Sequence, residues 1–212
     1  MKPMAPVLRT KDQARRYYDR ISAIYDWLTA SEKPLIKQGI ETLSPQPGEW
    51  ILEIGCGTGT GLALIQEKVS PSGFSLGLDL SHRMLLESRI NFCSALILGD
   101  AAHLPLSSGC FDGLFCSFTL ELFPQTQISL VLNEIRRVLK PDGRLLVIAL
   151  SNHHDTLALR LYERAHRLFP VAVDCRPIPL EQILHDNRFH IQTAVEFMNW
   201  GLPMKMVGCK LD

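Results

Sequence analysis

The sequence predicts an α/β fold: a doubly wound, mostly parallel seven-stranded sheet that closes with a C-terminal antiparallel hairpin. Three observations carry this. Short apolar runs alternate with stretches of helical period, which implies repeated strand–helix–strand units with right-handed crossovers. One run, Leu145–Leu150, is continuously apolar, as expected of a strand covered on both faces by helices. The C-terminal segment instead alternates apolar and polar residues on either side of Trp200-Gly201, the mark of a hairpin.

The elements follow in order. Ala14, Tyr17, Tyr18, Ile21, Tyr25 and Leu28 make an apolar stripe on a first helix, with Arg15, Arg16 and Arg20 beside it. Trp50–Ile54 is the first strand, followed by a glycine loop and a helix to about Val69. Ser75–Leu80 is the second strand, after which Ser81 caps a helix containing Met84, Leu85 and Ile90. Ala95–Leu98 is the third strand, ending in Gly99-Asp100, and Phe111–Phe118 the fourth. Over Gln125–Lys140, Ile128, Val131, Leu132, Ile135, Val138 and Leu139 keep the three-and-four spacing of one buried helical face. Pro141-Asp-Gly143 is expected to stop that helix. After the fifth strand, Thr156–Phe169 reads as a helix that runs into the proline-rich stretch Pro170–Pro179. Ile191–Phe197 and Pro203–Lys210 form the closing hairpin.

Length and composition set the remaining bounds. A chain of 212 residues exposes roughly 9,900 Å² when folded against roughly 34,700 Å² unfolded, enough for one good core. The whole chain, 1–212, is therefore expected to be a single domain. Open sheets of this kind take ligands at the carboxyl ends of their strands, so residues 10–45 and 151–180 are expected to form a helical lid and a helical lid insertion. With 22 basic and 22 acidic side chains and no Lys/Arg block, nucleic acid is a poor partner. No run approaches the ~20 apolar residues of a membrane helix, and Met1 to Thr10 lacks a signal-peptide core, so a cytoplasmic location is expected. The six cysteines contain no Cys-x-x-Cys pair and read as small buried hydrophobes, and no metal site is expected.

The chemistry-bearing signal is Glu53-Ile-Gly55-Cys-Gly57-Thr-Gly59-Thr-Gly61, at a strand end and opening a helix. Glycines let the backbone turn sharply and approach a ligand, and the helix start offers free N–H donors. The dinucleotide fingerprint fails in both registers, because Thr60 or Leu62 stands where its third glycine belongs, and no Lys-Ser or Lys-Thr pair follows for nucleotide phosphates. Asp79, 24 positions after Gly55 at the next strand end, can accept both hydroxyls of a ribose. Asp100, at the third strand end, can accept from an exocyclic amine.

This constellation resembles the class I S-adenosylmethionine-dependent methyltransferases, through Ile51-Leu-Glu-Ile-Gly-Cys-Gly-Thr-Gly, Gly77-Leu-Asp-Leu-Ser, Gly99-Asp-Ala-Ala-His-Leu-Pro-Leu, Phe111-Asp-Gly-Leu and Glu134-Ile-Arg-Arg-Val-Leu-Lys-Pro-Asp-Gly-Arg-Leu. The opening Tyr18-Asp-Arg-Ile-Ser-Ala-Ile-Tyr-Asp is similar to the subgroup of ubiquinone/menaquinone and phospholipid methyltransferases. The likeness covers residues 17–150 and implies the Rossmann-like methyltransferase fold, with S-adenosylmethionine as cofactor. It puts the methionine part against Gly55, Cys56 and Gly57, with Glu53 at the amino end. Asp79 holds the ribose, Leu80 and Met84 flank the adenine, and Asp100 with Ala101 binds its edge. Ser117 or Phe118 lies near the sulfonium, and Tyr18 and Tyr25 close over the cofactor. Asp-Asn-Arg-Phe189 stands where relatives often carry Ala-Gly-Phe, which loosens the C-terminal correspondence.

Several acceptors are disfavoured by missing residues. No cysteine follows a proline, Ser117-Phe-Thr-Leu-Glu-Leu-Phe123 is not an Asp/Asn-Pro-Pro-aromatic motif, and it carries one acid, Glu121, where arginine methyltransferases carry two. Ser117 stands where metal-dependent catechol enzymes have an acid. A small, partly apolar or lipid-like acceptor remains, with peripheral membrane contact through the first helix as one reading and ordinary packing of its stripe as the other. His153 or His154 is the candidate general base, the alternative being a polar loop in which Asp155 caps the next helix. The rival functions are a non-catalytic S-adenosylmethionine-binding protein, a thiol or metalloid methyltransferase using Cys175, and an NAD-dependent dehydrogenase.

Overall fold

The structure, a computed structural model, describes residues 4–91, 95–153, 156–170 and 173–211. Seven strands form one sheet in the order β3-β2-β1-β4-β5-β7-β6. They are β1 (Trp50–Ile54), β2 (Phe74–Asp79), β3 (Ala95–Leu98), β4 (Phe111–Ser117), β5 (Leu139–Leu150), β6 (Phe189–Asn199) and β7 (Leu202–Leu211). The first five are parallel, and β7 runs antiparallel to both β5 and β6. Strand order reverses between β1 and β4, which opens a crevice at their carboxyl ends.

Helices cover both faces because both faces of the parallel strands are apolar. On one side, Ile40 and Leu43 of α3 (Lys33–Leu43) and Ile65 and Val69 of α4 (Thr60–Val69) pack on Ile51, Phe115, Leu146 and Ile148. On the other, α6 (Gln125–Val138) buries the predicted stripe of Ile128, Val131, Leu132, Ile135 and Val138 against Leu52, Leu114 and Val147. Further helices are α1 (Lys11–Ile21), α2 (Tyr25–Leu28), α5 (His82–Asn91), α7 (Leu157–Leu168) and α8 (Leu180–Asp186).

Three details differ from the sequence expectation. Helix α6 ends at Val138, two residues early, because Gly109 and Cys110 donate their N–H groups to the carbonyls of Arg137 and Val138. Leu139 then already pairs with Phe111, and Pro141-Asp-Gly143 becomes an outward bulge within β5 before pairing resumes at Gly113–Arg144. The first helix is also not continuous. Asp19 accepts hydrogen bonds from Ser81 Oγ (2.6 Å) and Arg83 N (3.1 Å), and a tight turn at Ser22–Ile24 bends the chain there. The bend brings the Tyr18 and Tyr25 rings to 6.1 Å, where two straight helical turns would separate their backbones by roughly 10.5 Å. Finally, α3 lies within the 10–45 stretch yet packs on the sheet rather than over its strand ends.

The hairpin forms where expected. Its pairing slips by one residue at Gln192, between Ile191–Cys209 and Thr193–Gly208, which makes a bulge in the outer strand β6. At the other end, the chain leaving β5 is held by a parallel bridge between Ser151 and Ile178.

Candidate functional site

The loop after β1 owes its shape to glycine. Gly55, Gly57 and Gly59 all adopt positive φ, at 70°, 52° and 87°. A Cβ on Gly55 would overlap the Thr119 side chain, and one on Gly61 would overlap the Glu53 carboxylate. The loop is therefore packed tightly by Thr119, two residues past β4, and by Glu53 of β1, with Gly55 and Cys56 donating to the Leu78 carbonyl at 2.8 and 3.1 Å. Asp79 braces it from the side. Its Oδ2 accepts from Gly57 N (2.9 Å) and its Oδ1 from Ser81 N (2.8 Å). Burial pushes this carboxyl up, against the opposing pull of those N–H groups.

Glu53 stands below the loop. It is 2% exposed, and its Oε2 has no hydrogen-bond partner. Burial, and then the charge of Asp79, hold it well above the usual carboxylate range. Asp100 is different: although burial opposes it, the ammonium of Lys11 at 2.5 Å and the N–H of Ala102 at 3.0 Å hold it below that range.

These groups wall a cavity of about 380 Å³, within the span of small-molecule sites. The structure brings Tyr18, Tyr25, Glu53, Gly55, Cys56, Gly57, Asp79, Leu80, Met84, Asp100, Ala101, Ser117 and Phe118 together on its wall. Phe118 sits just past β4 with φ of 49°, a strained value for a bulky residue, and donates its N–H to the Ile148 carbonyl at 2.8 Å.

The chain before the sheet supplies the opposite wall. The Tyr18 hydroxyl donates to Asp174 Oδ2 at 2.7 Å, and Asp174 also pairs with Arg9, whose guanidinium lies 5.2 Å over the Tyr18 ring. Thr58 of the glycine loop donates to Asp26 of α2. Glu32 also lines the cavity, where burial and the nearby Asp174 push it up to about 7. The buried Arg176 donates to the carbonyls of Ala5, Glu121 and Phe123, which ties the segment before α8 to Ala5 and to the stretch after β4. Arg9, Lys11, Glu32, Thr119 and Gln127 are cavity residues that sequence reasoning did not find. No spacing rule joins them to the glycine loop, and only the tertiary fold does.

His153 is placed elsewhere. The bridge from Ser151 to Ile178 turns the chain sideways, and His153 lines a separate hollow with Ser151, Glu181 and Lys205. It is exposed, with Nε2 4.0 Å from Glu196. His153 thus lies off the cavity wall, while His154, the other candidate base, and Asp155 lie outside the described residues. Cys56, Cys110, Cys116, Cys175 and Cys209 are free thiols, and Cys93 lies outside the described residues. Among the described residues, no group of three or more His, Cys, Asp or Glu is arranged to hold a metal ion, and no helix is long and apolar enough to cross a membrane.

Comparison with known proteins bears on the same region. Residues 51–143, from β1 into the β5 bulge, match a family described as a methyltransferase domain. A demethylmenaquinone methyltransferase from Lactobacillus johnsonii is 33% identical over 141 residues, 63% of this chain and 57% of that protein. A malonyl-[acyl-carrier protein] O-methyltransferase from Herminiimonas arsenicoxydans is 31% identical over 158 residues, 73% of this chain. The chain thus spans 57% and 59% of the length of these two relatives. A solved S-adenosylmethionine-dependent methyltransferase from Thermotoga maritima shares the fold with a TM-score of 0.75 at 18% identity, over 94% of this chain and 100% of that one.

Proposed function

This chain belongs, through residues 51–143, to the class I S-adenosylmethionine-dependent methyltransferases, and from that premise we propose that it binds S-adenosylmethionine in the 380 Å³ cavity and directs its methyl group to a small, partly apolar acceptor. The observation that carries this is the buried, unpartnered Oε2 of Glu53 on the same wall as the Gly55–Gly57 turn, Asp79 and Asp100. A carboxylate oxygen stripped of water and of protein donors suits a ligand that brings its own ammonium group. Asp79 keeps lone pairs for a ribose diol beyond the two backbone bonds it already accepts, and Asp100 with Ala101 suits an adenine edge.

When bound, the cofactor supplies a methyl group already activated on a sulfonium. This chain has to align an acceptor with it and keep water away, and alignment of that kind supplies roughly 7–11 kcal/mol. Tyr18 and Tyr25 exclude water on the side facing the loop, and Phe118, Leu122, Phe123 and Ile36 offer apolar surface for the acceptor. Glu32, poised near neutrality, is the cavity group able to take a proton from an acceptor that arrives protonated. A quinone-type phenol or ring carbon, or a lipid amine, fits this lining, and the similarity to the demethylmenaquinone methyltransferase of Lactobacillus johnsonii supports the quinone class.

The test is calorimetric titration of the wild-type chain and Asp79→Ala with S-adenosylmethionine, its demethylated product and NADH. Micromolar binding of the first two, weakened at least about tenfold in the variant as charge-assisted hydrogen bonds are lost, is expected. Binding of NADH in their place, or of none of the three, refutes the assignment. Turnover is then sought with quinones, lipid amines and thiols; binding without turnover on any of them indicates a non-catalytic S-adenosylmethionine-binding protein.

A further inference from the structure

Helix α7 is inverted with respect to an ordinary surface helix. Its inner face buries Leu159 and His166, and Tyr162 packs with Phe118 of the cavity wall on the small core of Leu150, Leu159 and Met204. Its outer face is made of Leu157, Arg160, Leu161, Arg164, Arg167 and Leu168, all exposed. At 100° per residue these six positions span about 120° of arc, with the three leucines forming a ridge and the three arginines flanking it on one side. The leucines are 73%, 60% and 65% exposed. The helix carries a single acid, Glu163, which is half-buried and lies beyond the arginines.

The ridge does not end with the helix. Thr156 Oγ1 donates to the Gly201 carbonyl at 2.9 Å, and Gly201 packs so closely on Ala158 that an added Cβ would lie 3.0 Å from it. The tip of the β6–β7 hairpin is thereby clamped to the start of α7, with Trp200 83% and Met198 58% exposed. Asn199 Nδ2, in turn, donates to Ser31 Oγ at 3.3 Å, next to the α2 segment whose Trp27 is 78% exposed.

We propose that the outer face of α7 and the adjoining hairpin tip dock this chain on an anionic lipid bilayer, the leucine ridge, Trp200 and Trp27 entering the headgroup region and Arg160, Arg164 and Arg167 meeting lipid phosphates. A ridge of leucines beside arginines, with amphipathic indoles at its edge, is the composition of a helix lying in a membrane interface. Charge selects the occupant. A row of arginines along one side of an exposed leucine ridge is complementary to a phosphate-rich surface that takes up apolar side chains. The inner face of the same helix packs beside Phe118, so docking holds the cavity one side chain from the source of a lipophilic acceptor. The docking itself does not depend on the cofactor assignment.

The experiment uses the full chain with vesicles of phosphatidylcholine alone and with about 30% phosphatidylglycerol, the anionic surface the arginines should select. Sedimentation measures binding, and quenching by lipids brominated along the acyl chain, in a Trp50→Phe background, reports insertion of Trp27 and Trp200. Expected is binding to the anionic vesicles only, weakened by salt. Arg160→Gln with Arg164→Gln and Arg167→Gln lowers the partition coefficient about 100-fold. Leu157→Ser with Leu161→Ser and Leu168→Ser abolishes quenching. Both triple variants keep wild-type circular dichroism, and S-adenosylmethionine titrations stay unchanged because none of the six residues lines the cavity. Equal partition to both vesicle types, no binding to either, or wild-type quenching in the leucine variant overturns the proposal. So does light scattering that shows a dimer which the leucine variant alone dissolves, since the ridge would then be covered by a second copy.

Discussion

Replacing Glu53 by glutamine should move folding stability and ligand affinity in opposite directions, and both effects can be sized. The carboxyl is buried with one oxygen unpartnered, and burial together with the Asp79 charge holds it well above its ordinary value of 4.5. Below that value the folded and unfolded chains both carry the proton, and ionisation costs nothing. Above it only the unfolded chain ionises, so the folded state loses about 1.4 kcal/mol per pH unit until its own carboxyl begins to titrate. Glutamine has the same shape and no proton to lose. Glu53→Gln should therefore gain on the wild type as pH rises above that ordinary value, by up to about 1.4 kcal/mol for each pH unit until the folded carboxyl itself titrates. Affinity goes the other way. Binding an ammonium group drives the Glu53 proton into solvent and forms a charge-assisted hydrogen bond worth about 1.5–3 kcal/mol before the cost of ionising the carboxyl, so S-adenosylmethionine should bind more weakly to the variant, by up to about 150-fold. Urea denaturation across that pH range gives the first quantity and calorimetric titration the second. A stability difference that stays flat with pH would mean that Glu53 is ionised in the folded chain. Affinity unchanged in the variant would remove it from the ammonium site.

Two further outcomes follow from the geometry. Gly55→Ala combines a left-handed φ of 70° with a Cβ that overlaps Thr119, so a loss of about 2–5 kcal/mol in urea unfolding is expected. Adding Thr119→Ala should return the steric part of that loss; no recovery would show that the overlap does not matter. His153→Ala should leave cofactor affinity unchanged and reduce turnover by less than about tenfold, where removal of a general base costs 10²–10⁴-fold. A larger drop in a steady-state assay would return His153 to the reaction.

The sheet was legible because its strands are short apolar runs whose period differs from that of the helices between them, and burial on both faces leaves little room for another pattern. The cavity wall was legible for a related reason. Gly55, Asp79 and Asp100 sit at successive strand ends, where topology alone brings them together. What escaped is what tertiary contact decides. The apolar stripe of the first helix looks continuous from Ala14 to Leu28, and only the docking of Asp19 on Ser81 breaks it. Leu139 has helical spacing with Leu132 and Ile135, yet pairing with Phe111 takes it into the sheet. His153 and the cavity are separated by a single bridge, Ser151 to Ile178, between segments far apart in sequence. Glu32 and Arg9 reach the cavity from stretches that carry no motif of their own.

The slip at Gln192 has a bearing on how the molecule behaves in company. The sheet has two free margins, four residues long at β3 and eleven at β6. An uninterrupted margin of eleven residues is long enough to recruit a foreign strand and start a fibre. With one extra residue at Gln192, the amide and carbonyl groups of residues 189–191 and 193–199 fall out of step, so an incoming straight strand that matches one half misses the other. The polar side chains of His190, Gln192 and Thr193, exposed along this margin, add to the mismatch. The irregularity that looks like a flaw in the hairpin thus acts as a terminator, keeping the sheet at seven strands when many copies are crowded together.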